Sequence, residues 1–299
     1  MVLFGSMNAS LAIKISIITV CYNILEAGRK DFFKQMLDSI HNQTYANIEH
    51  IIVDGASNDG SVEYINAMLE PYKHRPIVFV SEPDTGIYDA MNKGWRLATG
   101  DYVAYLNSDD FYHDLGGIER VVKKIRQKAP DCLCSAINIV KSNQKRCIMK
   151  PNMGMVLMHM PLAHPGFFVM RRHLEELNGF DHKRFKLAGD YDLVLRLVLN
   201  KQITWTQLPK PFVSFRLGGF SSNVQLSQIE TAEIFKKNYA QYLPNYTNND
   251  WVKLSKTRRL PIRLLIRLRH KLSAQHYYWL LKWHLSLRCW YYWVRGLRG

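Results

Sequence analysis

The chain has 299 residues, 47% hydrophobic and 22% charged, enough apolar material for a sizeable core, which excludes a wholly disordered protein. Its net charge of +15 gathers at one end: residues 251–299 hold 12 Lys and Arg and no Asp or Glu, leaving 28 basic against 25 acidic residues in the first 250. Five cysteines without framework spacing (Cys21, Cys132, Cys134, Cys147, Cys289) argue against a disulfide-stapled scaffold, and no apolar run of about 18 charge-free residues reads as a membrane span.

The start, "MVLFGSMNASLAIK", has no basic segment before an apolar core and is not expected to be a signal peptide. The runs 14–20, 50–54, 77–80 and 102–106 are apolar nearly throughout, as parallel strands covered on both faces are. Helical patterns over 27–41, 60–70 and 87–98 lie between them, which predicts a βαβαβαβ doubly wound sheet with right-handed crossovers. A helix is expected near 114–128. A mixed region follows over 131–222, with strands near 132–140 and 202–206, a β-run after 164 and a helix near 190–199. "CLC" at 132–134 reads as alternate residues of a strand, since no second Cys or His pair follows at finger spacing.

Ligands of doubly wound sheets bind beyond the carboxyl ends of the strands. Those ends carry "TVCYN" (19–23), "VDGASNDGS" (53–61), "SEPDTGIYDAMNKG" (81–94) and "NSDD" (107–110). Asp109 and Asp110 read as a turn or helix cap, or as a cation site, because two adjacent carboxylates repel unless a cation lies near them. A divalent ion held by one or two carboxylates and completed by substrate phosphates is the usual magnesium or manganese arrangement. Asp54, directly after an apolar strand, is placed to accept a hydrogen bond from a nucleobase imide. Asp59, Gly60 and Ser61 read as a turn and helix start. Neither a P-loop nor a G-x-G-x-x-G fingerprint is present, which argues against NTPase and NAD chemistry.

"ISIITVCYN", "VDGASNDGS", "DTGIYDAMNKGWRLATGDYVAYLNSDD" and "AGDYDLVLRL", in that order, resemble the family 2 glycosyltransferases of the GT-A fold over about residues 12–222. The resemblance is to bacterial members that build capsule, lipopolysaccharide O-antigen or exopolysaccharide. It implies an α/β, Rossmann-like, mainly parallel sheet flanked by helices, and Mn2+ or Mg2+ as cofactor. It makes Thr19 and Tyr22 contacts to the nucleoside and Asp54 the contact to the base, usually uracil. Asp110 becomes the direct metal ligand, with Asp109 on ribose or a metal-bound water. Asp84, Gly86 and Asn92 resemble the segment closing over the nucleotide. Lys93 is either a phosphate contact or part of a solvated helix face.

Asp190 matches the catalytic base, which a helix N-terminus would keep ionised. Asp192 is four residues before Arg196 and reads as an intrahelical ion pair. The family often has Glu-Asp where this chain has Gly189-Asp190. His164 borders the acceptor and orients phosphates in the family; a partly buried loop histidine is the other reading. "FRLGGFSS" (215–222) resembles a flexible loop near the diphosphate, although a plain turn also explains Gly218 and Gly219.

From 257 onward the chain turns to Arg, Leu, Trp and Tyr, with five of the seven tryptophans at or beyond 251. The division expected is 1–256 for the transferase domain, its nucleotide half 12–110 and acceptor half 111–256, and 257–299 for a basic amphipathic helical tail. Such a tail suits an anionic membrane interface; a cap on the domain or an oligomer contact is the alternative. No nucleic-acid motif accompanies the charge. The expectation is an inverting, metal-dependent transferase on the cytoplasmic face of the plasma membrane. It takes a nucleotide-sugar donor and a saccharide or polyprenyl-diphosphate-linked acceptor. The competing reading is a non-catalytic sugar-nucleotide-binding or scaffold protein of the same fold.

Overall fold

The computed structural model describes residues 12–141, 146–200, 203–217, 223–272 and 277–278. Four parallel strands form its first half: β1 (Ile15–Cys21), β2 (Ile48–Asp54), β3 (Ile77–Ser81) and β4 (Tyr102–Tyr105), ordered β3-β2-β1-β4. Their crossovers are α1 (Lys30–His41), α2 (Ser61–Leu69) and α3 (Ile87–Leu97). Ile15 and Ile17 face one core layer while Ile18 and Val20 face the other. This two-sided burial is why β1 is apolar throughout rather than alternating.

The second half closes the sheet in mixed sense. It comprises β5 (Phe111–Tyr112), α4 (Gly117–Lys128), β6 (Cys132–Val140), β7 (Arg146–Met149), β8 (Phe167–Met170), α5 (Arg171–Leu177), α6 (Gly189–Asn200) and β9 (Trp205–Arg216). The order continues β4-β8-β6-β9-β5, with β7 on β6. β8 runs antiparallel to both β4 and β6, and β9 parallel to β6. Cys132 and Cys134 are buried alternate residues of β6.

β9 is much longer than the strand expected near 202–206, of which 201–202 lie outside the described residues. Pro209 and Pro211 break the sequence pattern. They fall where the β6 register jumps from Ser135↔Leu208 to Ile137↔Val213, so the bulge carries residues that lack a ladder N–H.

Among the described residues α7 (Val224–Tyr239), α8 (Asn248–Thr257) and α9 (Ile262–Leu268) follow. The Asn223 side chain caps α7, and Thr247 with Asp250 forms a capping box on α8. Leu260, Leu264, Leu265, Leu268 and Leu272 are buried in the same core as α6, α7 and α8. Residues 273–276 and 279–299, most of the expected tail, lie outside the described residues. No helix among the described residues is long and apolar enough to cross a membrane.

Candidate functional site

The parallel register sets Cys21 beside Asp54 and Asp54 beside Ser81, so the first three strands end level. Asp54 is 0% exposed. Its carboxylate accepts from the Ser57 amide (2.8 Å), the Ser57 hydroxyl (2.5 Å) and the Ser81 hydroxyl (2.7 Å). Tyr22, 61% exposed, follows β1. A Cβ on Gly55 would fall 2.6 Å from Asp84 Oδ2 and 3.2 Å from the Tyr22 ring. Only a bare backbone therefore lets Tyr22, Asp54 and Asp84 converge.

Asp84 Oδ1 accepts from the Gly86 amide at 2.8 Å. Burial lifts the Asp84 carboxyl above its ordinary pKa, the Gly86 amide and Lys93 oppose the rise, and Asp89 and Asp54 add to it. Gly86 takes φ +128 at the start of α3.

Thr19 and Asn92, both expected contacts, do not face this cleft. The Thr19 side chain is sealed beneath it, donating to the Leu106 carbonyl (2.8 Å) beside His50 Nε2 (3.0 Å). Asn92 is buried and fully engaged. It donates to Phe180 O (2.8 Å), accepts from the Phe180 amide and Trp95 Nε1 (2.9 Å each), and so clips α3 to the 179–182 loop. Lys93 is not a freely solvated lysine: its ammonium donates to the Pro83 carbonyl (2.5 Å) and pairs with Glu82 (3.0 Å), near enough to Asp84 for its charge to act there. Strand-end position and the apolar helix period left these directions open.

β4 runs on into the second part of the site. Asp110 is 0% exposed, with Oδ1 accepting from the Arg216 amide at 3.0 Å. Its Oδ2 is buried without a partner among the described residues, as is the nearby Asn107 Oδ1. Asp109 Oδ2 lies 3.5 Å from Arg29. The Arg216 guanidinium donates to the Asp109 carbonyl and to Gln35, and stacks 4.1 Å from the Phe32 ring centroid and 4.7 Å from that of Phe111.

Burial, then the Asp109 charge, raises the Asp110 carboxyl well above the usual carboxylate range, against the Arg216 amide and the charges of Arg216 and Arg29. An unpartnered buried carboxylate oxygen beside a second carboxylate fits a hard divalent cation whose other ligands are phosphate and water. No group of three or more His, Cys, Asp or Glu gathers among the described residues, so a closed protein cage is not the arrangement.

The third part stands at the start of α6. Asp190 Oδ1 accepts from the Tyr191 amide (2.7 Å) and the Tyr88 hydroxyl (3.2 Å), and Oδ2 is 3.8 Å from His164 Nδ1. His164, in a single 3₁₀ turn, packs against Tyr105, the last residue of β4, at 5.0 Å between ring centroids. This contact anchors Asp190 and His164 to the same strand end that leads to Asp110.

The helix N-terminus does not control Asp190 as expected. Burial dominates and raises its pKa, while His164, the Tyr191 amide and the Tyr88 hydroxyl pull the other way. Burial in turn lowers the pKa of His164, with Asp190 opposing. Gly189 leaves room for the Tyr88 ring: a Cβ there would lie 2.7 Å from it. Asp192 is buried and paired with Arg196 (2.7 Å) and Lys237 (3.0 Å), a structural network.

Sequence reasoning passed over four residues. Tyr88 lay within the quoted "DTGIYDAMNKG", and its spacing two residues after Gly86 was the available signal. Arg216 lay in "FRLGG", where only the glycines were weighed; Gly218 and Gly219 lie outside the described residues. Glu230 of α7 is buried and accepts from the amides of Lys186 (2.8 Å), Leu187 (2.9 Å) and Ala188 (2.7 Å), holding the approach to Asp190. It and Arg29 carry no local signal, because the contacts that define them are remote in sequence.

The glycosyl transferase family 2 model matches residues 16–189, more than half of the chain. The PGL/p-HBAD biosynthesis glycosyltransferase of Mycobacterium tuberculosis is 28% identical over 189 residues, 63% of this chain and 73% of the relative. An uncharacterized glycosyltransferase of the same organism is 33% identical over 117 residues, 39% of this chain and 41% of its own. Among solved structures, S. aureus TarS 1–349 in complex with UDP-GlcNAc aligns with a TM-score of 0.62 at 15% identity, covering 82% of this chain and 72% of that one. The mannosyltransferase PcManGT from Pyrobaculum calidifontis, in complex with GDP-Man and Mn2+, gives 0.57 at 17% identity, covering 93% and 81%. These two likenesses carry the fold, and the family model carries the membership. The chain belongs to glycosyl transferase family 2 and has the GT-A fold.

Proposed function

We propose that this glycosyltransferase moves a hexosyl or N-acetylhexosaminyl group from a UDP-sugar to a hydroxyl of a saccharide or polyprenyl-diphosphate-linked acceptor. Transfer inverts the anomeric carbon and serves bacterial surface polysaccharide synthesis. One observation carries the reading: the carboxyl end of β4 holds a buried carboxylate with an unpartnered oxygen, Asp110, and leads by Tyr105 and His164 to a second, individually held carboxylate, Asp190. Complexes of fold relatives with UDP-GlcNAc and with GDP-Man and Mn2+ support the donor class and the cofactor.

In this reading the Tyr22 ring stacks on the base, Asp54, its carboxylate taken up by Ser57 and Ser81, braces the loop beneath it instead of making the base contact expected of it, and Asp84 closes over the nucleotide. Mn2+ or Mg2+ is held by Asp110, with Asp109 beside it, and when bound supplies Lewis-acid neutralisation of the departing diphosphate. Arg29 and Arg216 add fixed positive charge at the same place. Asp190 takes the acceptor's hydroxyl proton as that oxygen forms its bond to C1. The C1–O bond to the diphosphate breaks with its electron pair leaving on UDP. A base whose pKa is raised toward working pH suits this step.

His164 backs Asp190 on the acceptor side and holds its carboxylate in place. The basic end, 257–299, sets the enzyme on an anionic membrane at the cytoplasmic face. The test is a panel of nucleotide sugars incubated with the full chain and Mn2+, scoring release of nucleoside diphosphate. Release from a UDP-sugar, lost in Asp190→Asn on addition of acceptor, supports the reading. Tight nucleotide binding with no turnover of any donor would leave the non-catalytic reading instead.

A further inference from the structure

α9 presents two faces of opposite character. Leu264, Leu265 and Leu268 are buried in the core. Ile262 and Ile266, one turn apart, stand 45% and 57% exposed. Next to each isoleucine is an arginine, Arg263 and Arg267, also exposed. These arginines line an open cleft of about 90 Å³ whose other wall is residues 242–245. Both guanidiniums are already oriented, Arg263 stacked 5.3 Å from the Tyr246 ring centroid and Arg267 donating to the Tyr242 carbonyl at 2.6 Å. No acidic residue follows Asp250 in the sequence, and Asp250 is taken up by the Thr247 capping box.

We infer that this cleft binds the phosphate of an anionic membrane lipid, with Ile262 and Ile266 entering the acyl boundary beside it. Two pre-oriented guanidinium forks suit a phosphate better than point charges do. Apolar side chains flanking them match an amphipathic interfacial helix. A nucleic acid offers phosphates but no apolar layer for two exposed isoleucines. The segment 279–299 also carries Lys282, Arg288, Arg295 and Arg298 without an acid, so the basic charge continues along the sequence. The inference narrows the membrane part of the proposed function to one surface and is independent of the transfer chemistry.

The test is flotation of the full chain with phosphatidylcholine vesicles, with and without about one-third phosphatidylglycerol. Binding only to the anionic vesicles is expected, with Arg263→Ala and Arg267→Ala each weakening it about fivefold and the pair about thirtyfold. Ile262→Ser with Ile266→Ser should weaken it as well. Charge reversal on α4 at Lys123 and Lys128 should leave it intact, and unchanged thermal melting shows that the variants fold. Excess inorganic phosphate should compete only weakly, which separates a bilayer headgroup from a free anion. Wild-type binding by the arginine pair variant would overturn the inference. A chain ending at residue 272 separates the two readings. If it loses all binding while the arginine pair does not matter, the tail holds the membrane and this cleft does not. If the full chain ignores anionic vesicles, both fail.

Discussion

Asp110 and Asp190 are both carboxylates whose pKa is raised by burial, yet the chain holds them in different ways. Asp190 Oδ1 accepts from the Tyr191 amide and the Tyr88 hydroxyl, while Oδ2 faces His164 Nδ1 at 3.8 Å, beyond hydrogen-bond reach, on a side chain 22% exposed. Asp110 has a backbone amide on one oxygen and none among the described residues on the other, in full burial. Asp190 is oriented through one oxygen at the edge of the site, whereas Asp110 keeps a buried oxygen unpartnered. A group that must accept a proton gains from fixed orientation. A group that must bind an ion needs an open lone pair.

The largest expected effect breaks the Asp190 side. Asp190→Asn should lower transfer about 10²- to 10⁴-fold, the usual contribution of a general base, with Mn2+-dependent UDP binding retained, as read by single-turnover kinetics and calorimetry. Next is Asp110→Asn, which should remove the stabilisation that Mn2+ with UDP gives in thermal melts, about 3 kcal/mol at a hundredfold excess over Kd.

The same variant sharpens the pH behaviour of the metal-free protein. The folded chain keeps protons on Asp110 and Asp190 at pH values where the unfolded chain has released them. Their contribution is therefore fully present below the ordinary carboxylate pKa and is lost as pH rises through the raised values. Urea melts across that window should show stability falling with pH, and Asp110→Asn should flatten the fall.

Two smaller changes probe how Asp190 is held. Gly189→Glu should cost about 1–3 kcal/mol through overpacking against Tyr88, and Tyr88→Ala should relieve part of it, by denaturant melts of the double variant. Glu230→Gln weakens three charge-assisted bonds to the 186–188 amides and should cost about 1–3 kcal/mol, lowering kcat but leaving UDP affinity unchanged. Lys93→Ala should be the mildest, within about 1 kcal/mol, with donor KM unaltered; a large rise in KM would return Lys93 to the phosphates.

The first half of the chain was legible because its information is local. β1 to β4 are short apolar runs with polar punctuation, with Asp54 ending β2 and Asp109 and Asp110 a short step past β4. The second half was less legible. β9 carries Pro209 and Pro211 through a bulge that only its pairing with β6 reveals. α7 and α8 were not foreseen, although "TNND" before α8 is a capping-box signal that could have been read. The inward direction of Thr19 is set by His50 of β2 and Leu106 just past β4, and that of Asn92 by Phe180, remote in sequence, together with Trp95 of the same helix. Arg216 meets Asp110 across 106 residues, a separation no periodicity encodes.

The most direct test of the contrast is one titration: Mn2+ added to UDP with wild type, Asp110→Asn and Asp190→Asn, read as the UDP dissociation constant. A buried, unpartnered oxygen at Asp110 that takes the cation, and a role for Asp190 apart from it, require Mn2+ to tighten UDP in wild type and Asp190→Asn but not in Asp110→Asn. Equal tightening in Asp110→Asn would contradict the assignment of Asp110 as the cation's ligand.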